Sequence, residues 1–342
     1  MFLGIEIGGT KLQLGVGAGR DAELAALVRH DVDPARGAVG ILEEIERSAM
    51  ALVQKHPVER IGFGFGGPCE RATGVVTKSH QVAGWDGFPL AAWCRESLGR
   101  PAVVGNDCDV AALAEARLGA GRGAASVFYV TVGTGIGGGL VVGGRLVGEG
   151  RPATSEIGHL RPGLLADRPD MNVESLAAGP GIAAAAIARM TGVARPLDSL
   201  RNPAGPTTRD QVRRRLVDVK QTEEEYVADL LQRAGGDADQ LTARHVAQAA
   251  AEGNAIACDV LDHAVQALGW AIAQVITIAA PEVVVVGGGV SLIGEPLFFA
   301  PLRAEVFRYV FPPLAESYRL VPAGLGEQAV VHGAIELASE NT

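Results

Sequence analysis

Leu3, Ile5 and Ile7 alternate with smaller or polar residues, the pattern breaks at Gly8-Gly9-Thr10-Lys11, and it resumes with Leu12, Leu14 and Val16 on one face. A period of two on either side of a glycine turn predicts a β-hairpin. The unit recurs: residues 127–132 read as a strand, Gly133-Thr134-Gly135-Ile136-Gly137-Gly138-Gly139 as the turn, and 140–142 as the return strand. Between the two, Ile41, Leu42, Ile45, Ala49 and Leu52 fall at helical spacing with Glu43, Glu44, Glu46 and Arg47 among them, an amphipathic surface helix over 39–53. Residues 61–65 form a strand ending in Gly66-Gly67-Pro68, 84–89 a loop, 90–98 a helix and 101–104 a strand. An alanine-rich helix follows over 108–118.

In the second half, helices are predicted over 179–190, 242–253 and 258–280, the last burying Leu261, Val265, Leu268, Ile272, Val275 and Ile276 and ended by Pro281. Residues 283–286 are four valines, the pattern of a strand covered on both faces, and Gly287-Gly288-Gly289 turns the chain after it. Residues 332–339 close as a helix. The stretch 192–240 is polar, holds Pro196, Pro203 and Pro206, and reads as a surface insertion. Each half thus opens with strand, glycine turn, strand. That predicts two related α/β domains, residues 1–118 with 328–342 and residues 119–327, hinged near the glycine-rich joint 119–123.

A length of 342 residues accommodates two such domains. A hydrophobic share of 48% argues for a folded globular chain, and 46 glycines predict many tight turns and close backbone approaches. The net charge of −9 argues against nucleic acid as a partner. Cys69, Cys94, Cys108 and Cys258 make no CxxC pair and read as reduced, buried small hydrophobes of a cytoplasmic protein. No signal peptide is visible at Met1, and 271–280 is too short and too polar to cross a bilayer, so no membrane role follows.

The chemistry begins at Asn106-Asp107. A carboxylate on the turn leaving an apolar strand stands where open α/β sheets handle ligands, and the same pair also reads as an N-cap for the helix that follows. The GxGxxG pattern occurs at 62–67 and 133–138, but a dinucleotide fingerprint needs its last glycine to open a helix. Gly67 precedes a proline and Gly138 a strand, so neither is read that way. Glycine turns between antiparallel strands can instead form nests of backbone N–H groups that hold phosphate. Thr10 and Thr134 would add a hydroxyl to each turn, and Lys11 a charge. Glu156, His159 and Glu174 supply the mixed donors and acceptors that a polyhydroxylated ligand requires.

Taken in order, these segments resemble the ROK (repressor, open reading frame, kinase) sugar kinases of the actin–hexokinase superfamily. Glu6-Ile7-Gly8-Gly9-Thr10-Lys11 resembles the first phosphate motif and Gly67-Pro68 the tail of the sugar-loop motif. Asn106-Asp107 with Ala111, Ala112 and Glu115 resembles the catalytic motif. Gly133-Thr134-Gly135-Ile136-Gly137 resembles the second phosphate motif, Glu156-Ile157-Gly158-His159 the sugar-binding motif, and Val286-Gly287-Gly288-Gly289-Val290 the adenosine motif. The resemblance implies a two-domain ribonuclease H-like fold with an interdomain cleft. It further implies an ATP- and Mg²⁺-dependent hexose kinase and a homodimer. Asp107 would be the general base, while Gly67, Asn106, Glu156, His159 and Glu174 would bind sugar. Gly8, Gly9, Thr10, Lys11, Gly133, Thr134 and Gly135 would hold phosphates, and Gly287 and Gly288 would border the nucleoside.

Three departures matter. Glu6 stands where the family usually has aspartate, and would reach the magnesium shell through water. The stretch 160–173 lacks the cysteines of the family zinc site, so no structural zinc is expected, and Arg161, Asp167 and Arg168 are the candidates to order that loop. The segment 196–240 is longer than usual. Glucose is the leading substrate, ahead of N-acetylmannosamine, N-acetylglucosamine, mannose and fructose. The competing reading is a sugar-sensing regulator on the same fold. The family's repressors carry an N-terminal DNA-binding domain, for which the few residues before Glu6 leave no room. A polyphosphate donor would call for a basic track, and the sequence has none.

Overall fold

The computed structural model describes residues 1–19, 21–79, 81–148, 151, 153–163, 170–192 and 222–340. The first hairpin forms as expected. β1 (Phe2–Ile7) pairs antiparallel with β2 (Lys11–Gly17), and β2 with β3 (Leu24–Asp31). After α1 (Gly37–Lys55), β4 (Arg60–Phe65) joins β1 in parallel. A small hairpin of β5 (Cys69–Glu70) and β6 (Val75–Val76) and the helix α2 (Leu90–Leu98) lead to β7 (Ala102–Asn106), parallel to β4. The sheet order is β3-β2-β1-β4-β7. α3 (Asp107–Arg117) leaves directly from β7.

The second half repeats this plan. β8 (Ser126–Val132) pairs antiparallel with β9 (Ile136–Val142), and β9 with β10 (Arg145–Leu146). Then come α4 (Val173–Ala177), α5 (Gly179–Met190), α6 (Glu223–Arg233), α7 (Ala243–Ala251) and α8 (Ala255–Ala279). β11 (Val283–Gly287) runs parallel to β8, and after α9 (Ala300–Tyr309), β12 (Arg319–Pro322) runs parallel to β11. The order is β10-β9-β8-β11-β12, the first sheet's pattern again. α10 (Ala329–Ser339) ends the fold. Of the expected insertion over 192–240, residues 193–221 lie outside the described residues, and α6 is its one described α-helix.

The hydrophobic pattern mispredicts three places. β3, β5, β6, β10, β12, α4 and α9 carry no sequence reading. β3 is an edge strand whose residues alternate half-buried and exposed, and β12 is only four residues long. The turn predicted over 133–139 is only Gly133-Thr134-Gly135, because Gly137, Gly138 and Gly139 lie inside β9. The third is Cys258, which is half-buried where full burial is expected.

Those strand glycines explain part of the glycine excess. α3 and α10 pack against one another and against both sheets, and glycine is where they touch. A methyl on Gly333 of α10 would stand 1.7 Å from the Val110 carbonyl oxygen of α3, and one on Gly62 of β4 would stand 1.9 Å from that of Ala334. On Gly139 it would meet the Ala112 methyl at 2.7 Å and the Cys108 oxygen at 2.8 Å. Gly62 and Gly64 of the first GxGxxG look-alike therefore serve helix–sheet contact, whereas Gly138 of the second meets the Ser155 carbonyl and the Phe128 ring. Glu115 lies in the same seam, fully buried, and accepts hydrogen bonds from Ala120 N (2.8 Å), Gly324 N (3.0 Å) and Leu325 N (2.8 Å). Three backbone donors hold one carboxylate, which pins α3 to the 119–123 joint and to the loop before α10.

No helix among the described residues is long and apolar enough to cross a membrane.

Candidate active site

Parallel strands present their carboxyl ends to one side of a sheet, where ligands bind in open α/β folds. Here the turns after β1, β4, β7, β8 and β11 all open onto one cleft. Its walls include Gly8, Thr10, Lys11, Gly67, Asn106, Asp107, Gly133, Thr134, Gly135, Glu156, His159, Glu174 and Gly288, so the sequence candidates converge. Two do not reach it. Gly287 is the buried last residue of β11, where a methyl would stand 2.7 Å from the Tyr129 hydroxyl. Gly9 is covered by Gln81, whose amide oxygen occupies the place of a methyl on it.

Asn106-Asp107 both starts a helix and lines the cleft. Asn106, the last residue of β7, is the N-cap of α3: its Oδ1 accepts from Cys108 N at 2.9 Å and Asp109 N at 3.3 Å. Its Nδ2 donates to the Gly67 carbonyl at 3.1 Å, tying the turn after β4 to the helix start. Asp107 is the first helical residue. Its Oδ1 accepts from Cys108 N at 2.8 Å, and its Oδ2 faces Gly66, where the missing side chain leaves room. Burial pushes the Asp107 carboxyl up to about 6, against the pull of the Cys108 amide and with Glu6 and Glu156 adding repulsion. Asp109, one turn position on, is pushed to about 7 by burial and by the charge of Asp107.

The first glycine turn is closed by Gly8 N donating to Lys11 O at 2.9 Å. Glu6 sits beneath it, pushed up by burial although Lys11 Nζ lies 3.1 Å from its Oε1 and Gln13 Nε2 donates to its Oε2 at 2.6 Å. Gln13 is the support that sequence reasoning missed. It is wholly buried, and its Oε1 accepts from Arg29 Nε at 2.7 Å. A glutamine amid Leu12, Leu14 and Val16 was the available signal, since a buried amide is kept where it has partners.

The second turn is closed by Gly133 N donating to Gly135 O at 2.9 Å, and Gly179 N at the start of α5 donates to Gly133 O at 2.8 Å. Glu174 Oε2 accepts from Ile136 N at 2.8 Å, so this carboxylate, expected to meet sugar, braces the second glycine turn. Gly288, at φ 86°, lies so close to β8 that a methyl would stand 2.5 Å from Val132 O. Leu292, Ile293 and Leu297 carry the cleft wall beyond it.

Glu156 follows Ser155, a non-glycine residue at φ 61°. Left-handed backbone there costs on the order of 1 kcal/mol or more and persists where the surroundings enforce it. The kink turns Glu156 and the short helical turn 157–159 toward the cleft. The surrounding protein pushes the Glu156 carboxyl up, His159 pulls it down and Glu174 pushes it up again. His159 Nδ1 lies 3.4 Å from Asn172 Nδ2. Among the described residues no group of three or more His, Cys, Asp or Glu side chains is placed to hold a metal. Asp167 and Arg168 lie outside the described residues.

The arrangement offers a buried, poised carboxylate between two amide-rich turns, with acidic and imidazole groups alongside: a base, phosphate donors and hydroxyl partners in one cleft. Known proteins bear on this geometry. The glucokinase of Thermotoga maritima is 27% identical over 339 residues, covering 99% of this chain and 97% of its own. A ROK family glucokinase from Streptomyces griseus, solved in complex with glucose and AMPPNP, is 27% identical and superposes with a TM-score of 0.77 over 99% of each chain. The ROK hexokinase from Thermus thermophilus, also 27% identical, superposes at 0.71 over 98% of this chain and 97% of its own. The ROK family model matches residues 2–341, and the chain belongs to the ROK family, with the actin–hexokinase-type fold of its sugar kinases.

Proposed function

We propose that this ATP-dependent sugar kinase phosphorylates glucose at its primary hydroxyl, with Asp107 as general base. The observation that carries the proposal is the Asp107 carboxyl, raised to about 6 by burial, facing Gly66 through Oδ2, and lining the cleft with two glycine turns and Glu156. A base with a value near the working pH is ionised yet basic enough to take a hydroxyl proton. The sugar hydroxyl attacks the γ-phosphorus in line, Asp107 accepts the proton as the O–P bond forms, and ADP leaves as the bond to its β-phosphate oxygen breaks. Amides of the two turns stabilise charge that develops on the transferred group. Asn106, Glu156 and His159 orient the sugar, and Glu174 both reaches it and holds the second turn.

Magnesium fits as an ion arriving on the nucleotide. The Glu6 carboxylate is already engaged by Lys11 and Gln13, which suits a shell reached through water rather than direct ligation. When bound, the ion would neutralise phosphate charge. The chain is read as two domains, 1–118 with 328–342 and 119–327, closing over the substrates to exclude water.

Hexose-dependent ADP release, measured over a panel of glucose, mannose, fructose, N-acetylglucosamine and N-acetylmannosamine, tests the proposal. The highest kcat/KM is expected for glucose. Preference for an N-acetylated sugar would refute the substrate assignment, and absence of sugar-dependent ADP release would leave the regulator reading.

A further inference from the structure

The donor side of the cleft is short of positive charge. Glu174 braces the second glycine turn, Asp239 lines the wall beyond it, and Lys11 at the first turn is held by Glu6 at 3.1 Å. A nucleotide brings several further negative charges to this place. One arginine is positioned to meet them. Arg244 lines the cleft as the second residue of α7, exposed, and makes no ion pair among the described residues, whereas Arg233 is paired with Asp229 and Glu252, and Arg189 with Asp259.

Its placement follows from contacts around the second turn. Gly179 N donates to Gly133 O at 2.8 Å, and a methyl on Gly179 would stand 3.2 Å from that oxygen and 3.9 Å from the Ala243 methyl. The start of α7 therefore lies against Gly179, which is itself hydrogen-bonded to the second glycine turn, and Arg244 is the next residue. The first turn of α7 is fixed by a reciprocal cap: His245 N donates to Thr242 Oγ1 and Thr242 N to His245 Nδ1, each at 3.3 Å. The guanidinium springs from a rigid base, on the end of the helix that itself favours anions.

We infer that Arg244 grips the phosphate chain of the nucleotide donor and so sets affinity for the donor, not the sugar. The inference rests on the kinase reading above. A planar, permanently charged fork suits phosphate oxygens, and a long exposed side chain gives a modest, salt-sensitive contribution.

The test is calorimetric titration of ADP, adenosine and glucose into the wild type, Arg244→Ala and Arg244→Lys, with ATP and glucose KM measured in parallel. Arg244→Ala is expected to weaken ADP binding and raise the ATP KM about tenfold, about 1.4 kcal/mol. Adenosine and glucose should stay within about twofold, and Arg244→Lys should recover most of the loss. Unchanged ADP affinity in Arg244→Ala overturns the inference, as does an equal loss for adenosine, which would mean a contact with the nucleoside or a disturbed helix. Wild-type protein that binds ADP but forms none from ATP when hexose is added defeats the kinase reading alone. Wild-type protein that binds no adenine nucleotide defeats both.

Discussion

The position of Asp107 makes the pH dependence of turnover a sharp test. A free aspartate ionises near 3.8, and a base of that kind would leave the rate flat down to about pH 5. Burial at the foot of the cleft, with Glu6 and Glu156 nearby, instead holds the carboxyl at about 6. The protonated form is inactive as a base, so activity is full above this value and is lost as pH falls through it. At pH 5 about one molecule in eleven is ionised, so kcat falls about tenfold below its plateau, with a limiting slope of one in log kcat against pH. The assay is steady-state ADP release at saturating sugar and magnesium-ATP from pH 4.5 to 8.5. ATP phosphates titrate in the same range, so Asp107→Asn is the control. It should lower kcat by about two to four powers of ten and leave a residual rate without the acidic limb. A wild-type plateau extending to pH 5, or an acidic limb surviving in Asp107→Asn, would refute the assignment of the base.

The same geometry makes other outcomes testable. Glu156→Gln should raise the sugar KM about tenfold or more with little change in the ATP KM, whereas Glu174→Gln should raise both, because its carboxylate also accepts from Ile136 N; paired KM measurements separate the two. Glu115→Ala abandons three buried backbone donors and should cost about 3 kcal/mol or more, seen as a clear fall in Tm. Gly333→Ala drives a methyl into the Val110 carbonyl and should destabilise by about 2 kcal/mol or more in a urea titration. Removing divalent metal with EDTA should abolish turnover and leave Tm within about 1 °C, since the expected metal enters with nucleotide; a large fall in Tm would reveal a structural ion.

The local chemistry was legible in the sequence wherever it depends on neighbours along the chain. Alternation on either side of Gly8-Gly9 and Gly133-Thr134-Gly135 specifies two hairpins, and their recurrence specifies a repeated fold. Asn106 announces a cap because its side chain serves amides two and three residues ahead. The four valines of β11 announce an interior strand because no polar side chain interrupts them.

Arrangements that depend on residues far apart in the chain were settled only by the tertiary structure. Gly137, Gly138 and Gly139 look like a turn, yet α3 and the backbone of Ser155 press so closely on β9 that side chains cannot fit there. Glu115 looks like part of a catalytic motif, yet its partners, Gly324 and Leu325, come from the other end of the chain. β3 and β12 escaped because edge strands draw their stability from one neighbouring strand more than from their own pattern. Arg244 carries no local signal at all. It matters because folding brings the first turn of α7 beside Gly179, which bonds to a glycine turn over a hundred residues before Arg244, and charge is read through space, not along sequence.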